Sequence, residues 1–193
     1  MDWILVSYYT IGNISYEKYA EKLISSVNKV DGNIKMYILR MNSLGTWMKN
    51  THYKPKFIRA CLDKYRCGVV YTDIDSELMK YPTVFNNLDC DLAACMLDHS
   101  QFRRKDKPPE FLSGTLFFSN TIKARQILDS WIKSMSLLED IWDQRALHKV
   151  VGDNFHHLPQ EYCTIKGYMD SVQNPVFVHH QASREHRGGP NYK

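Results

Sequence analysis

Two aspartates separated by one residue, Asp73 and Asp75, follow a short β-branched run, Gly68-Val69-Val70-Tyr71-Thr72. Carboxylates at that spacing can engage one hard divalent cation directly or through water, and a cation so held can bridge two phosphates. The bare pattern carries little weight, because 14 aspartates in 193 residues produce about one Asp-x-Asp by chance. A second copy, Asp89-Cys90-Asp91, is indeed present. Position separates the two. Ligands of open α/β sheets bind beyond the carboxyl ends of strands; only the first pair leaves an apolar strand, and the second precedes one. Asp73 and Asp75 are therefore the expected ion site, and Asp89 and Asp91 a solvated feature.

Other side chains offer complementary chemistry. His179 and His180 follow the apolar run Val176-Phe177-Val178. Neighbours on a strand point to opposite faces, so only one of them can readily join a given site. Asp98, Glu139, Asp140 and Asp143 are candidates to accept a proton from a hydroxyl, although acids in a first helical turn are favoured by the helix dipole alone. Lys56 and Arg59 can reach a phosphate from a helix, where basic residues more commonly form a solvated face. Trp47 and Trp142 suit stacking on a ring or ordinary aromatic packing. Gly114 permits close approach of its backbone to a ligand, or simply bends a strand. His52, His148, His156 and His157 receive no role.

Periodicity supplies the elements that must position these groups. Trp3 to Tyr8 is a continuous apolar and aromatic run, the pattern of a buried parallel strand. Asn13 or Ser15 is placed to cap a helix to about Val30, with Tyr16, Tyr19, Ala20, Leu23, Ile24 and Val27 on one face and Asp31-Gly32-Asn33 as its stop. Ile34 to Met41 reads as a second strand. Lys54-Pro55 opens a second helix whose apolar face is Phe57, Ile58, Cys61, Leu62 and Tyr65, ended by Cys67-Gly68. Gly68 to Thr72, Leu92 to Leu97 and Leu112 to Phe118 are further strands, and Thr121 to Met135 and Asp140 to Val151 further helices. Such alternation implies an α/β sandwich, with the charged, proline-containing stretch Gln101 to Glu110 as a loop.

Composition narrows the classes. With 44% apolar residues, the chain can build a real core. The net charge of +4 is modest, and its basic residues are spread out except at Arg103-Arg104-Lys105 and from Arg184 to Lys193. That balance suits a small anionic ligand better than nucleic acid. Five cysteines, Cys61, Cys67, Cys90, Cys95 and Cys163, form no CxxC pair, which points to a reducing compartment rather than a disulfide framework or a cysteine zinc site. The start lacks a secretory pattern and no apolar run approaches the ~20 residues of a membrane span. The expectation is a soluble, cytoplasmic protein.

Four segments together resemble GT-A glycosyltransferases, especially small glycogenin-like and galactosyltransferase-like enzymes. Gly68 to Asp75 is similar to the family's apolar strand and DxD. Leu112-Ser113-Gly114-Thr115-Leu116-Phe117-Phe118 is similar to its strand beside the donor sugar, and Trp142-Asp143-Gln144-Arg145-Ala146-Leu147 to its W-x-D-Q-x-A-L helix start. Val176-Phe177-Val178-His179-His180 resembles the closing strand that supplies a histidine to the metal. The order and spacing of these segments span nearly the whole chain, and the compact size also resembles glycosyltransferase domains of large algal viruses.

The resemblance implies a single GT-A, Rossmann-like domain over residues 1–193, with a mostly parallel central sheet flanked by helices. It implies a hexosyltransferase that moves a sugar from a UDP-sugar to a hydroxyl of a glycan or glycoprotein, with Mn2+ or Mg2+ as cofactor. Asp75 and His179 would hold the metal, with Asp73 on the ribose or on a metal-bound water. Ser7, Tyr8, Tyr9 and Thr10 would hold the nucleoside, and Ser113 and Gly114 would lie near the donor. The family's glycine and lysine after the histidine are replaced by Gln181-Ala182-Ser183-Arg184, so Arg184 or Arg187 would take the lysine's place on a phosphate. Glu139-Asp140 resembles the acidic pair of inverting enzymes and Asp143-Gln144 the retaining group, which leaves stereochemistry open. If the chain is viral, the host cytoplasm is its place.

Two other classes remain in view. A phosphohydrolase or phosphotransferase of the haloacid-dehalogenase type also uses Asp-x-Asp after a strand, with the first Asp as nucleophile, but normally after the first strand. A non-catalytic module binding a polyanion through its basic loop and tail is the other, and salt-dependent binding would mark it.

Overall fold

The computed structural model describes residues 2–31, 33–102, 106–138 and 140–182. Strand β1 (Trp3–Thr10) pairs in parallel with β2 (Met36–Met41) on one side and β3 (Gly68–Thr72) on the other. On the far edge of β3 runs β6 (Glu110–Phe118), antiparallel to it and to β5 (Leu92–Leu97), and β5 pairs in parallel with β7 (His156–Leu158). The six-stranded order is β2-β1-β3-β6-β5-β7. The expectation of a mostly parallel sheet thus holds for β1, β2, β3 and the β5–β7 edge, while β6 runs against both of its neighbours.

Strand alternation sends apolar side chains to both faces. Trp3 and Leu5 join one core, with Leu23 and Val27 of α1 (Ile14–Val30) and with Phe85 and Phe117. Ile4, Val6 and Tyr8 join the other, beneath α3 (Lys54–Tyr65), α4 (Ile122–Leu137) and α5 (Asp143–Val151). Local signals explain the helix starts: the Asn13 side chain accepts from the Ser15 and Tyr16 amides, and Thr121 from Ala124. Pro55 occupies the first turn of α3, where its missing N–H is no loss. The fifth helix begins at Asp143 rather than Asp140, because Trp142 is extended and marks the cap.

A second, three-stranded sheet was not foreseen. Its order is β4 (Ser76–Leu78), β9 (Phe177–His179), β8 (Thr164–Ile165), with β4 antiparallel to β9 in the register Ser76↔His179. Strands of two or three residues carry no readable periodicity. A five-residue helix, α2 (Trp47–Thr51), capped by the Thr46 side chain, was also missed. Among the described residues, no helix is long and apolar enough to cross a membrane.

Candidate active site

A cavity of about 700 Å3 opens where β1 and β3 end, and is closed by the starts of α3 and α5, by the middle of β6 and by β9. Its volume lies in the range of small-molecule and cofactor pockets, roughly 300–1,000 Å3. The residues on its wall include Tyr8, Tyr9, Thr10, Lys54, Asp73, Asp75, Ser113, Gly114, Asp143, Gln144 and His179.

One corner collects the acidic pair and a histidine. Asp73 leaves β3 with its amide donating to the Gly114 carbonyl at 2.8 Å, and the chain turns at once into β4. Pairing of β4 with β9 then carries His179 to the aspartates: the His180 amide donates to the Asp75 carbonyl at 2.8 Å, and the Ala182 amide to Asp75 Oδ2 at 2.6 Å. The ligand atoms of Asp73, Asp75 and His179 all lie within 4.8 Å of one another. His179 is 5% exposed, with Nε2 at 2.9 Å from Thr115 Oγ1. Its neighbour His180 points the other way, its Nε2 2.6 Å from a Glu77 carboxylate oxygen.

The electrostatics of this corner favour a positive charge. Burial, and then the neighbouring Asp73, push the Asp75 carboxyl up. Burial alone would lower the His179 imidazole, but Cys163, Asp75 and Asp73 outweigh it and lift it to about 9. A buried carboxyl raised in part by an acidic neighbour, beside an imidazole held protonated, marks a concentration of negative charge that a cation would relieve. The donor set, two carboxylates and an imidazole, fits a divalent ion of the Mn2+ or Mg2+ type.

Beside that corner lies a group sequence reasoning missed. Lys54 is 4% exposed, and its Nζ stands 2.6 Å from Asp143 Oδ2, 3.1 Å from Asp73 Oδ1, and 3.3 Å from both the carbonyl and the hydroxyl of Ser113. The Tyr71 ring lies beneath it at 5.1 Å, and the Tyr71 hydroxyl donates to the same Asp73 oxygen. Burial would strip its proton, yet Asp143 and then Asp73 hold its pKa above the ordinary lysine value. A cation in the first turn of α3 opposes the helix dipole, so this placement is set by the two carboxylates rather than by the helix. That conflict was the available signal. With the His179 imidazole neutral, as a metal ligand must be, Asp73, Asp75 and Asp143 against Lys54 leave two negative charges in excess, which a divalent cation balances.

The remaining expected residues divide clearly. Asp143 is 6% exposed and also accepts from the Ser113 hydroxyl at 3.0 Å. Its backbone carbonyl accepts from the indole of the fully buried Trp131 at 2.9 Å, which anchors α5 to α4. Tyr9 and Thr10 reach the cavity, as does Tyr8, whose hydroxyl donates to the Asn50 carbonyl. Ser7 does not: it is 1% exposed on the Leu5 face of β1, because alternation turns it away from Tyr8. Lys56 is exposed and off the cavity wall, since two residues along a helix from Lys54 is the opposite side. Asp140 is exposed beside a separate shallow depression with Ile141 and Arg145. Asp98 caps the short 3-10 turn His99–Gln101, accepting from Ser100 and Gln101, and its carboxyl is held below its usual range by those bonds. Asp91 of the second acidic pair accepts from Thr121 Oγ1 and lies 3.6 Å from Lys123, a structural arrangement at a helix start. Trp47 and Trp142 meet edge to face on the cavity wall. Arg184, Arg187, Glu139 and Arg103-Arg104-Lys105 lie outside the described residues.

Comparison with known proteins gives this geometry a setting. No curated protein sequence matches the chain. Among solved structures, a glycosyltransferase involved in glycosylation of the major capsid of PBCV-1 superposes with a TM-score of 0.73 at 13% identity, covering 97% of this chain and 98% of that one. The apo form of the glycosyltransferase GlyE of Streptococcus pneumoniae TIGR4 gives 0.67 at 16% identity, and an active-site mutant of LgtC gives 0.59 at 13%. This chain covers 93% of itself against GlyE but spans only 54% of GlyE's length; against LgtC the shares are 91% and 86%. These likenesses establish the GT-A fold. The family model for nucleotide-diphospho-sugar transferases matches residues 28–189, most of the chain including the acidic pair, β6, α5 and His179, and sets it apart from haloacid-dehalogenase enzymes. The chain therefore belongs to the nucleotide-diphospho-sugar transferase family and is a glycosyltransferase.

Proposed function

We propose that this glycosyltransferase uses a UDP-sugar and requires Mn2+ or Mg2+, held by Asp73, Asp75 and His179, to glycosylate a hydroxyl of a glycan or glycoprotein. The observation that carries this reading is the convergence of those three side chains, within 4.8 Å of one another, at the mouth of strands that end in a large cavity. A divalent cation bound there supplies the positive charge that a departing diphosphate needs.

The protein's own groups do the rest. Tyr8, Tyr9 and Thr10, with Asn13 and Tyr16 beyond them, form the wall on which the nucleoside rests. Lys54 ties Asp73 to Asp143 and so keeps the metal corner in fixed relation to the start of α5. Gly114, with no side chain, leaves room for His179 against β6. The carboxylates of Asp140 and Asp98 are off the cavity wall, and Asp143 is committed to Lys54 and Ser113. Among the described residues, none of the candidate proton acceptors Asp98, Asp140 and Asp143 is thus free at the cavity wall, which supports transfer with retention of configuration over inversion.

A thermal-shift panel of nucleotide sugars, with and without Mn2+, tests the reading, because a ligand that binds only the folded state raises its melting temperature. UDP or a UDP-sugar is expected to give the largest rise, and only with metal. A melting curve unmoved by every UDP compound in the presence of Mn2+ would overturn it. Proton NMR of the product's anomeric centre reads the stereochemistry.

A further inference from the structure

Elsewhere on the cavity wall runs a row of hydrogen bonds to which the proposed reaction gives no task. The Tyr168 hydroxyl is 2.6 Å from His99 Nδ1, and His99 Nε2 is 3.2 Å from Glu110 Oε2. The other oxygen, Glu110 Oε1, accepts from the Gln144 amide nitrogen at 2.7 Å. All four residues lie on the cavity wall, and His99 is 4% exposed, its ring edge-on to Tyr168.

The chemistry of this row has a direction. An ionised carboxylate only accepts hydrogen bonds, so Gln144 must turn its NH2 towards Glu110. Its carbonyl oxygen is then turned away, and it accepts from no donor among the described residues. An amide without such a partner is free to present either end. Gln144 follows Asp143, whose carboxylate grips Lys54, so an amide fixed here stands beside the donor end of the cavity.

We infer that Glu110, locked by His99, is a positioning residue that fixes the Gln144 amide so that its carbonyl oxygen, not its NH2, is offered to the bound sugar. An oxygen lone pair complements the positive charge that develops on a sugar ring as its leaving group departs, whereas an N–H dipole would oppose it. The charge argument rests on the sugar-transfer reading; the fixing of the amide does not. His99 contributes by holding the carboxylate: with Nε2 donating to Glu110, its Nδ1 accepts from Tyr168, and the row keeps one polarity throughout.

Two measurements on Glu110→Ala and Glu110→Gln test this. One is the side-chain amide resonance of Gln144 in a 1H–15N spectrum, assigned by its loss in Gln144→Glu. The other is the release of UDP from UDP-glucose and UDP-galactose at saturating Mn2+. Glu110→Ala is expected to shift the amide resonance and to lower kcat about 10–100-fold, the usual effect of removing a group that orients a site residue. KM for the sugar nucleotide should stay within about 2-fold, since ground-state binding is untouched. Glu110→Gln, which can accept from Gln144 but can also turn round, should keep part of both signals; it carries the test if the alanine variant fails to fold. An unchanged amide resonance, or a loss lying wholly in KM, overturns the proposal. If no sugar nucleotide turns over with the unmodified protein, the sugar-transfer reading falls, and the amide resonance still decides whether Glu110 fixes Gln144.

Discussion

Lys54 and Asp143 form a buried ion pair at 2.6 Å, although they begin two different helices 89 residues apart in the chain. Replacing Lys54 with methionine leaves Asp143, 6% exposed, without its counter-charge, an uncompensated burial that typically costs about 3–5 kcal/mol. In the unmodified protein the raised lysine pKa means that its contribution is complete below the unfolded value of roughly 10.4, and is lost only as pH rises beyond that. Protonation relieves an unpaired buried carboxylate, so the penalty of Lys54→Met is full at neutral pH and shrinks in acid. Urea unfolding at pH 8 and pH 5 should show the gap from wild type narrowing in acid; a gap independent of pH would refute the pairing. Lys56→Met, on the exposed side of the same helix, should stay within about 0.5 kcal/mol of wild type.

Asp75 and His179 should be separable from stability by metal. Asp75→Asn and His179→Ala are expected to lose the Mn2+-dependent rise in melting temperature produced by UDP, a rise that in a competent site at 100 times Kd is worth about 2.7 kcal/mol. His180→Ala, whose ring pairs with Glu77 on the other face of β9, should keep that rise. Equal responses in the two histidine variants would show that the wrong imidazole has been assigned.

Gly114 tests how closely β6 and β9 must approach. A Cβ there would stand 3.0 Å from His179 Cε1, 3.2 Å from its Nδ1 and 3.3 Å from Cys163 Sγ. Gly114→Ala should therefore displace the imidazole, destabilise the protein by about 1–3 kcal/mol and weaken Mn2+ binding by calorimetry. Wild-type Mn2+ affinity in this variant would mean that the ring has room to spare.

Trp131 connects the α4–α5 packing to the cavity. Trp131→Phe keeps most of the buried ring but loses the indole bond to the Asp143 carbonyl, a loss of about 1–3 kcal/mol. Because Asp143 then has a looser backbone anchor, UDP-sugar turnover should fall more than melting temperature predicts. Activity that simply tracks stability across temperature would place Trp131 in the core alone.

Much of the architecture was legible because its elements are long and periodic. The five long strands and four long helices announced themselves through apolar runs, helical faces, the cap at Asn13 or Ser15 and the Lys54-Pro55 start. The acidic pair was legible from its position after β3. What stayed hidden was short: β4, β7 and β8 hold two or three residues each, and the pairing of β4 with the expected closing strand β9 is a matter of register between segments about 100 residues apart. The sequence pattern points to Lys56 rather than Lys54 and groups Ser7 with Tyr8, because a motif marks a neighbourhood while the facing of each side chain depends on the completed packing.

The amino-acid sequence by itself determined the kinds of groups available and the order of strands and helices, since propensity, patterning and capping act over a few residues. Only the tertiary structure decided which groups meet: that Asp75 finds His179, that Lys54 stands between Asp73 and Asp143, and that Glu110 joins His99 to Gln144. Charges and hydrogen bonds act over a few ångströms, and separations that small between distant segments exist only once the two sheets and their helices have packed.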